Sequence, residues 1–163
     1  MLNGLTPGAA ALRDVRIEVP EAVRRGDRAR LVCEYDLEGS PLYSLKWYRG
    51  DEEFYRYVPK EAPPSKVFPQ PGVNVDVSQS TARQVVLSDV QLELTGIYKC
   101  EVSADAPSFH TEIKAATMVV VGESPLSLSP IQDNGFAPQY RAMTGYVVAK
   151  FENEIDKFHD VLI

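Results

Sequence analysis

The fold is decided by residues 94–100, Leu-Thr-Gly-Ile-Tyr-Lys-Cys, in which Tyr98 stands two positions before Cys100. A tyrosine at that distance before a strand cysteine is typical of a tyrosine corner, whose hydroxyl bonds back to the preceding loop. Upstream, Cys33 lies in one strand-like run and Trp47 in the next. The order Cys–Trp–Tyr–Cys predicts two β-sheets cross-linked by Cys33 and Cys100 around a core that contains Trp47 and Tyr98.

Alternating polar and apolar residues extend this pattern along the chain in both directions. Residues 13–19 predict strand A, and strand B has one face formed by Ala29, Leu31, Cys33 and Tyr35. Further strands are predicted at 42–48 (C), 53–58 (C′), 73–77 (D), 84–87 (E), 97–103 (F) and 109–121 (G), with the proline-rich residues 59–71 as an edge segment. About nine strands with this Cys–Trp–Cys spacing predict an all-β sandwich of the variable-type immunoglobulin class.

The chain divides into three predicted parts. Residues 1–11 resemble the small-residue end of a signal peptide, with a disordered N-terminus as the alternative. Residues 12–121 hold the predicted sandwich. Residues 122–163 comprise a linker rich in Ser, Pro and Gly and a tail, in which apolar residues at helical spacing favour a short amphipathic helix at 145–162. The alternatives for this tail are a disordered segment and sequence from a misplaced exon boundary.

The net charge and the two cysteines indicate the class of partner and the cellular compartment. The formal net charge of -6 argues against nucleic acid as the partner. A disulfide between Cys33 and Cys100 requires an oxidising compartment and so predicts an extracellular protein, secreted or associated with the cell surface. The alternative is a pair of free buried thiols in a reducing compartment. No apolar run reaches about 18 residues, so the sequence predicts no transmembrane helix.

Motifs for catalysis and cofactor binding are missing from the sequence. It contains no glycine-rich phosphate loop, no His-Glu-x-x-His and no paired Cys-x-x-Cys. We therefore expect no enzyme activity, no small-molecule substrate, no metal and no other cofactor. His110, at the start of strand G, is expected to be a surface residue at a binding edge rather than a metal ligand. Arg25-Gly26-Asp27 resembles an integrin-binding tripeptide, but its position between two strands predicts a structural turn.

Binding is better supported than catalysis. In a variable-type sandwich, strands G, F, C and C′ share one sheet, and aromatic and arginine side chains are enriched at interface hot spots. The outward face of this sheet and the adjoining F–G loop supply the candidate partner-binding residues Tyr48, Tyr55, Arg56, Tyr57, Lys99, Glu101 and Phe109. Which tyrosines point outward depends on register, since a slip of one residue exchanges the two faces. The alternative is that some of these aromatic residues pack against the domain itself.

Several segments resemble one protein family beyond the general fold. They are residues 12–15, 19–20, 24–27, 44–48, 53–57, 63–68, 71–73 and, most specific, 98–111 with the sequence YKCEVSADAPSFHT. Together they are similar to the membrane-distal domain of the beaten-path (Beat) family of arthropod neuronal immunoglobulin proteins, over about residues 12–121. The resemblance implies a role in axon guidance and neuronal adhesion. It also implies heterophilic binding, through this first domain, to an immunoglobulin-superfamily receptor of the sidestep family.

The chain departs from that family in two ways. Family members carry a second immunoglobulin domain, which residues 122–163 do not resemble, so membrane attachment is not carried over. Leu94 stands where many variable domains have an aspartate that pairs with an arginine, and we expect Leu94 to pack in the apolar core instead. The leading hypothesis is an extracellular recognition module. The alternatives are a homophilic structural adhesion domain, which forms homo-oligomers, and a truncated, non-functional isoform.

Overall fold

The structure, a computed structural model, describes residues 12–123 and 146–148, which form ten strands. Their bounds are β1 Arg13–Glu18, β2 Ala22–Arg24, β3 Ala29–Asp36, β4 Leu42–Arg49, β5 Glu52–Tyr57, β6 Ser65–Val67, β7 Gln84–Leu87, β8 Gly96–Ala104, β9 Thr111–Glu123 and β10 Tyr146–Val148. In this part of the chain, no helix has the length and apolar character needed to cross a membrane. The expectations for residues 1–11, 124–145 and 149–163 lie outside the described residues.

The strands form two sheets that enclose one core. The back sheet has the order β1-β3-β7, and the front sheet has the order β10-β9-β8-β4-β5-β6, with β2 parallel to β9. The other strand pairings are antiparallel. In immunoglobulin terms β4, β5, β8 and β9 are strands C, C′, F and G. The predicted all-β, variable-type sandwich of about nine strands is therefore confirmed.

The disulfide and the tryptophan lie in the centre of the core, as predicted. Cys33 of β3 is bonded to Cys100 of β8, and their Cα atoms are 6.3 Å apart. Trp47 is directly opposite Cys100 in the β4–β8 ladder and is fully buried. The alternation predicted for β3 is kept, since every second residue from Ala29 to Tyr35 is buried. The cross-link joins the two sheets, and closing so long a loop stabilises the fold by roughly 4 kcal/mol.

The tyrosine corner is formed as the sequence predicts. Tyr98 is fully buried, and its hydroxyl donates a hydrogen bond of 2.6 Å to the carbonyl oxygen of Leu94. Burial raises the pKa of the Tyr98 hydroxyl to about 12, so this hydroxyl keeps its proton and remains a donor at neutral pH. Leu94 is buried among apolar residues, as expected from its replacement of the usual aspartate. The corner fixes the start of β8 relative to the loop before it.

The structure differs from the sequence prediction at residues 73–77, which do not form a strand. Val75 makes an isolated bridge to Leu87, and a 3-10 turn follows. Side-chain hydrogen bonding competes with the β-ladder here, because Ser80 Oγ donates a 2.7 Å bond to the carbonyl oxygen of Asp76. The back sheet consequently has three strands among the described residues.

The structure also differs at the start of the predicted helix 145–162. Tyr146–Val148 form β10, which pairs antiparallel with residues 121–123 at the end of β9. The segment Tyr-Val-Val has high β-propensity, because aromatic and β-branched side chains suit a pleated sheet. That local preference opposes the helical spacing of the apolar residues, and at these three positions the strand is formed. The remainder of the predicted helix lies outside the described residues.

Candidate recognition surface

The outward side of the front sheet is called the front face here. Directly opposed residues of an antiparallel ladder point to the same side, and successive residues alternate. Because Trp47 and its opposite residue Cys100 point inward, their neighbours on both strands point outward. The ladders then assign the front face. It consists of Lys46 and Tyr48 on β4, Glu53 and Arg56 on β5, Ile97, Lys99 and Glu101 on β8, and Ile113 and Ala115 on β9.

Opposite charges on the front face are matched between neighbouring residues and strands. Lys46 Nζ lies 3.0 Å from Glu101 Oε1, and the Tyr48 hydroxyl lies 3.4 Å from Glu101 Oε2. Arg56 makes two hydrogen bonds to Glu53, from Nε to Oε1 at 2.6 Å and from Nη2 to Oε2 at 2.8 Å. These pairs hold the charged groups in fixed positions, so the face presents an ordered pattern of both signs.

The pKa values on the front face follow from these pairs. Burial alone lowers the pKa of Lys46, but the hydrogen bond and charge of Glu101 outweigh that effect, and the pKa is raised. Burial and the same carboxylate raise the pKa of Tyr48. At the edge of the face, a 2.7 Å hydrogen bond from Lys99 lowers the pKa of Asp51. At neutral pH, Lys46 is therefore protonated, Tyr48 neutral and Asp51 ionised.

Exposed apolar side chains accompany the charges along β8 and β9. Ile113 is 54% exposed and Ile97 is 52% exposed, and the smaller Ala115 is also exposed. The ladder places Ala115, which is opposite Lys99, between the two isoleucines, so apolar surface is distributed along this part of the front face. Its burial by a partner would remove apolar surface from water. Sequence reasoning missed both isoleucines because it selected aromatic and charged residues. Ladder parity is the signal that finds them, since Ile113 is opposite Glu101.

The structure places Tyr55 and Tyr57 on the inward side, which corrects their expected position on the front face. Tyr55 is opposite Trp47 and fully buried, and Tyr57 is opposite Leu45 and packs against the core. The cause is a register shift in the β4–β5 ladder that gives β5 one extra residue, Phe54. The extra residue turns both tyrosines inward. The front face keeps the other four predicted residues of the sheet, which are Tyr48, Arg56, Lys99 and Glu101.

A second exposed region lies where the β3–β4 loop meets the β8–β9 loop, and it is called the loop end here. Phe109, predicted in the F–G loop, is 73% exposed, and Tyr43 at the start of β4 is 53% exposed. The backbone N–H of Asp105 donates a 2.8 Å hydrogen bond to the carbonyl oxygen of Pro41, which ties the two loops together. The carboxylate of Asp105 pairs with Lys60. Phe109 therefore lies in solvent next to the front face rather than on its strands.

The remaining sequence candidates are a metal site, His110 and the Arg-Gly-Asp tripeptide. Among residues 12–123 and 146–148, no cluster of three or more histidine, cysteine, aspartate or glutamate side chains is arranged to hold a metal ion. His110 is exposed in the loop that contains Phe109. The tripeptide forms the expected turn, in which Gly26 has a φ of 87° and donates its N–H to the Val90 carbonyl oxygen. The front face and the loop end are thus the two regions whose exposed side chains favour binding.

Comparisons with known proteins agree with this geometry. The family model of the immunoglobulin V-set domain matches residues 18–121. The crystal structure of murine CEACAM1b matches with a TM-score of 0.52 and 19% identity, over 66% of this chain and 53% of that chain. The crystal structure of a mouse coronavirus receptor-binding domain complexed with its murine receptor contains a chain that matches with a TM-score of 0.51 and 16% identity, over 68% of this chain and 55% of that one. This chain spans about half the length of those two, and no curated protein sequence matches it.

Proposed function

The chain belongs to the immunoglobulin V-set family, and on that premise we propose that it is an extracellular recognition and adhesion module that binds another immunoglobulin-superfamily protein through its front face. The observation that carries this proposal is the composition of the front face. Exposed isoleucines stand beside charged side chains that are held in fixed pairs on a sheet anchored by a disulfide. A rigid surface of this kind loses little conformational entropy when a partner binds.

The two kinds of side chain on the front face have different roles in this proposal. The apolar area of Ile113 and Ile97 supplies the driving force, because its burial by a partner removes apolar surface from water. The ordered charges, of which Lys46 and Glu101 are the central pair, set the orientation and select a partner with a complementary pattern. The face therefore suits a protein surface better than a small molecule.

The finer proposal is that the partner is a sidestep-type receptor and that the process is axon guidance. It is supported by the resemblance of residues 12–121 to the first domain of the Beat family, and above all by residues 98–111. Those residues build most of β8 and the whole β8–β9 loop, next to the proposed contact surface. The disulfide fits an extracellular setting, because such bonds persist in oxidising compartments.

A matched pair of substitutions tests the binding surface. Ile113→Asp introduces a charge on the front face, and Val77→Asp introduces the same charge at a residue of similar exposure, 48% rather than 54%, outside the front sheet. With a purified sidestep-family ectodomain immobilised for surface plasmon resonance, we expect Ile113→Asp to weaken binding at least tenfold, or about 1.4 kcal/mol, since it buries an unpaired charge in the interface. Val77→Asp should bind like the unmodified chain.

The outcomes separate the proposal from its alternative. Equal affinities for the two variants would remove the front face from consideration. Self-association, measured by size-exclusion chromatography with light scattering, distinguishes a homophilic adhesion domain. A stable dimer at micromolar concentration that Ile113→Asp dissociates would assign the same face to a second copy of this chain, and would contradict the heterophilic form of the proposal.

A further inference from the structure

We propose that Phe109 and Tyr43 are two preorganised aromatic side chains at the loop end, which enter an apolar pocket of the immunoglobulin partner and determine which receptor is bound. This inference rests on the proposed function and adds a specificity-determining site outside the front face. Phe109 is 73% exposed and Tyr43 is 53% exposed, and they are the two most exposed aromatic residues among the described residues.

The backbone of Phe109 is held in a conformation that phenylalanine rarely adopts. Its φ is 51°, in the left-handed region, where a bulky residue without a compensating contact costs on the order of 1–3 kcal/mol. The conformation is fixed by the loop: the Phe109 N–H donates to the Asp105 carbonyl oxygen at 3.3 Å, and the Ala104 N–H donates to the His110 carbonyl oxygen at 2.8 Å. A glycine would meet this geometry without strain. The exposed aromatic ring therefore adds no stability to the folded chain at this position. A partner that buries the ring does gain binding free energy from it.

Asp105 connects three segments at the loop end. Its carboxylate accepts a 2.8 Å hydrogen bond from the Ala106 N–H and pairs with the ammonium group of Lys60, while its own N–H donates to Pro41. The hydrogen bond from Lys60 lowers the pKa of Asp105, so the carboxylate is ionised throughout the neutral range. The loop is thereby attached to the β3–β4 loop and to the segment after β5. A loop that is already ordered loses less entropy on binding than a free one.

Tyr43 reaches the same region through an irregularity of the sheet. Leu42 is opposite Ala104 and Ser44 is opposite Ser103, so Tyr43 is the extra residue of a β-bulge in β4. Bulges redirect a side chain and are common next to functional sites. The hydrogen bond and charge of Asp105 raise the pKa of Lys60, and Tyr43 is near enough to that lysine to add a smaller contribution. The bulge, the left-handed loop residue and the Asp105 contacts thus occur together at one end of the sandwich.

The chemistry of this site favours an apolar pocket as its occupant. The nearby cation Lys60 is already paired with Asp105, so the loop end offers two aromatic rings rather than a free charge. Aromatic residues dominate interface hot spots, where they fill pockets on the partner. The site is also continuous with the front face, because Ser103 Oγ and Thr111 Oγ1 are 2.8 Å apart at the base of the loop and Ile113 follows on β9. One partner can therefore cover both.

The test is a panel of sidestep-family ectodomains measured against matched glycine variants. Phe109→Gly removes the ring and relieves the strained φ, and Asp89→Gly relieves a similar φ of 49° at an exposed residue outside the loop end. We expect Phe109→Gly to raise the melting temperature, to lose at least about tenfold in affinity for the preferred receptor, and to discriminate less among receptors. Asp89→Gly, which also removes the carboxylate that accepts a 2.7 Å hydrogen bond from Gln91, should leave the affinity unchanged. Tyr43→Ala should also reduce affinity, and Asp105→Ala should reduce it by about two- to tenfold through loss of loop order.

Each outcome is decisive. If Phe109→Gly and Tyr43→Ala bind like the unmodified chain while Ile113→Asp fails to bind, the aromatic site is wrong and the proposed function stands. If Phe109→Gly weakens binding to every receptor by the same factor, the ring contributes affinity and the specificity role is wrong. If the unmodified chain binds no member of the panel, this inference and the sidestep form of the proposed function are both contradicted.

Discussion

Tyr48 and Tyr55 are the same residue type on neighbouring strands of one sheet, yet they belong to different environments. Tyr48 is half-buried on the front face, where its hydroxyl donates to Glu101. Tyr55 is fully buried, and its hydroxyl lies 3.1 Å from Ser65 Oγ and donates to the carbonyl oxygen of Thr81. The difference arises from one extra residue in β5, which moves Tyr55 to the inward side. Side-chain chemistry alone therefore does not distinguish a core residue from a surface residue here; register does.

The largest predicted change in stability is the difference between Tyr55→Ala and Tyr48→Ala. Tyr55→Ala leaves a cavity in the core, and we expect the free energy of unfolding to fall by about 3–5 kcal/mol. Tyr48→Ala removes a side chain that still contacts solvent, and we expect a change of about 1 kcal/mol or less. Guanidinium denaturation of both variants measures the difference.

Tyr55→Phe is the control, because it keeps the ring and removes only the hydroxyl contacts, and it should cost about 1 kcal/mol. Equal destabilisation by Tyr48→Ala and Tyr55→Ala would contradict the placement of the two residues on opposite sides of the sheet.

The face on which a strand residue lies can be predicted from the sequence where the register is regular. It cannot be predicted where the register is irregular. In β3, the residues from Ala29 to Tyr35 alternate strictly, and residues 29–32 pair with β7 without a register shift, so periodicity predicts the correct face. The disulfide follows from the order of Cys33, Trp47 and Cys100, and the tyrosine corner follows from the local spacing of Tyr98 and Cys100. In β5, three aromatic residues in four positions carry no alternation, and nothing in the amino-acid order marks Phe54 as the extra residue.

The exposed Ile113 of β9 was not predicted, and the reason differs from that for β5. Glu112 and Lys114 stand at positions whose ladder partners Val102 and Cys100 point into the core, while Ile113 between them is exposed. Polar and apolar residues therefore alternate in the opposite sense to the two sides of the sheet. Over these positions β9 pairs only with β8 among the described strands, so Lys114 reaches solvent past the edge and contacts Glu112 at 3.7 Å. At the edge of a sheet, a polar side chain at an inward position can still reach solvent, so polarity does not indicate the side to which a residue points.

A smaller effect, on the buried side of the comparison, is predicted for the tyrosine corner. Tyr98→Phe leaves the carbonyl oxygen of Leu94 without its donor, and we expect the free energy of unfolding to fall by about 1 kcal/mol at pH 8. Burial raises the pKa of both Tyr98 and Tyr35 from 10.0 to about 12. Their contribution to stability is therefore complete below pH 10 and is lost as the pH rises through 12.

Urea denaturation at pH 8 and pH 11 checks both parts of this prediction. The unmodified chain should lose stability between the two pH values, and Tyr98→Phe should lose less, because the raised pKa of Tyr98 is absent. The same loss in both proteins would show that Tyr98 ionises equally readily in the folded and unfolded states, which is incompatible with its burial.

The smallest effect on stability is predicted for the centre of the front face. Glu101→Gln removes the charge that pairs with Lys46, and we expect the free energy of unfolding to change by about 0.2–1 kcal/mol, less at high salt. The pKa of Lys46 should fall, because burial then acts without the carboxylate that outweighs it. Titration of the lysine side chain by NMR measures this fall, and Glu112→Gln is the matched control, since its partner is Lys114. We expect Glu101→Gln to affect binding more than stability, because the variant should associate with the receptor more slowly and with less dependence on salt. A large loss of stability with unchanged association would instead make Glu101 a structural residue, and the front face would then resemble the environment of Tyr55 more than that of an interaction surface.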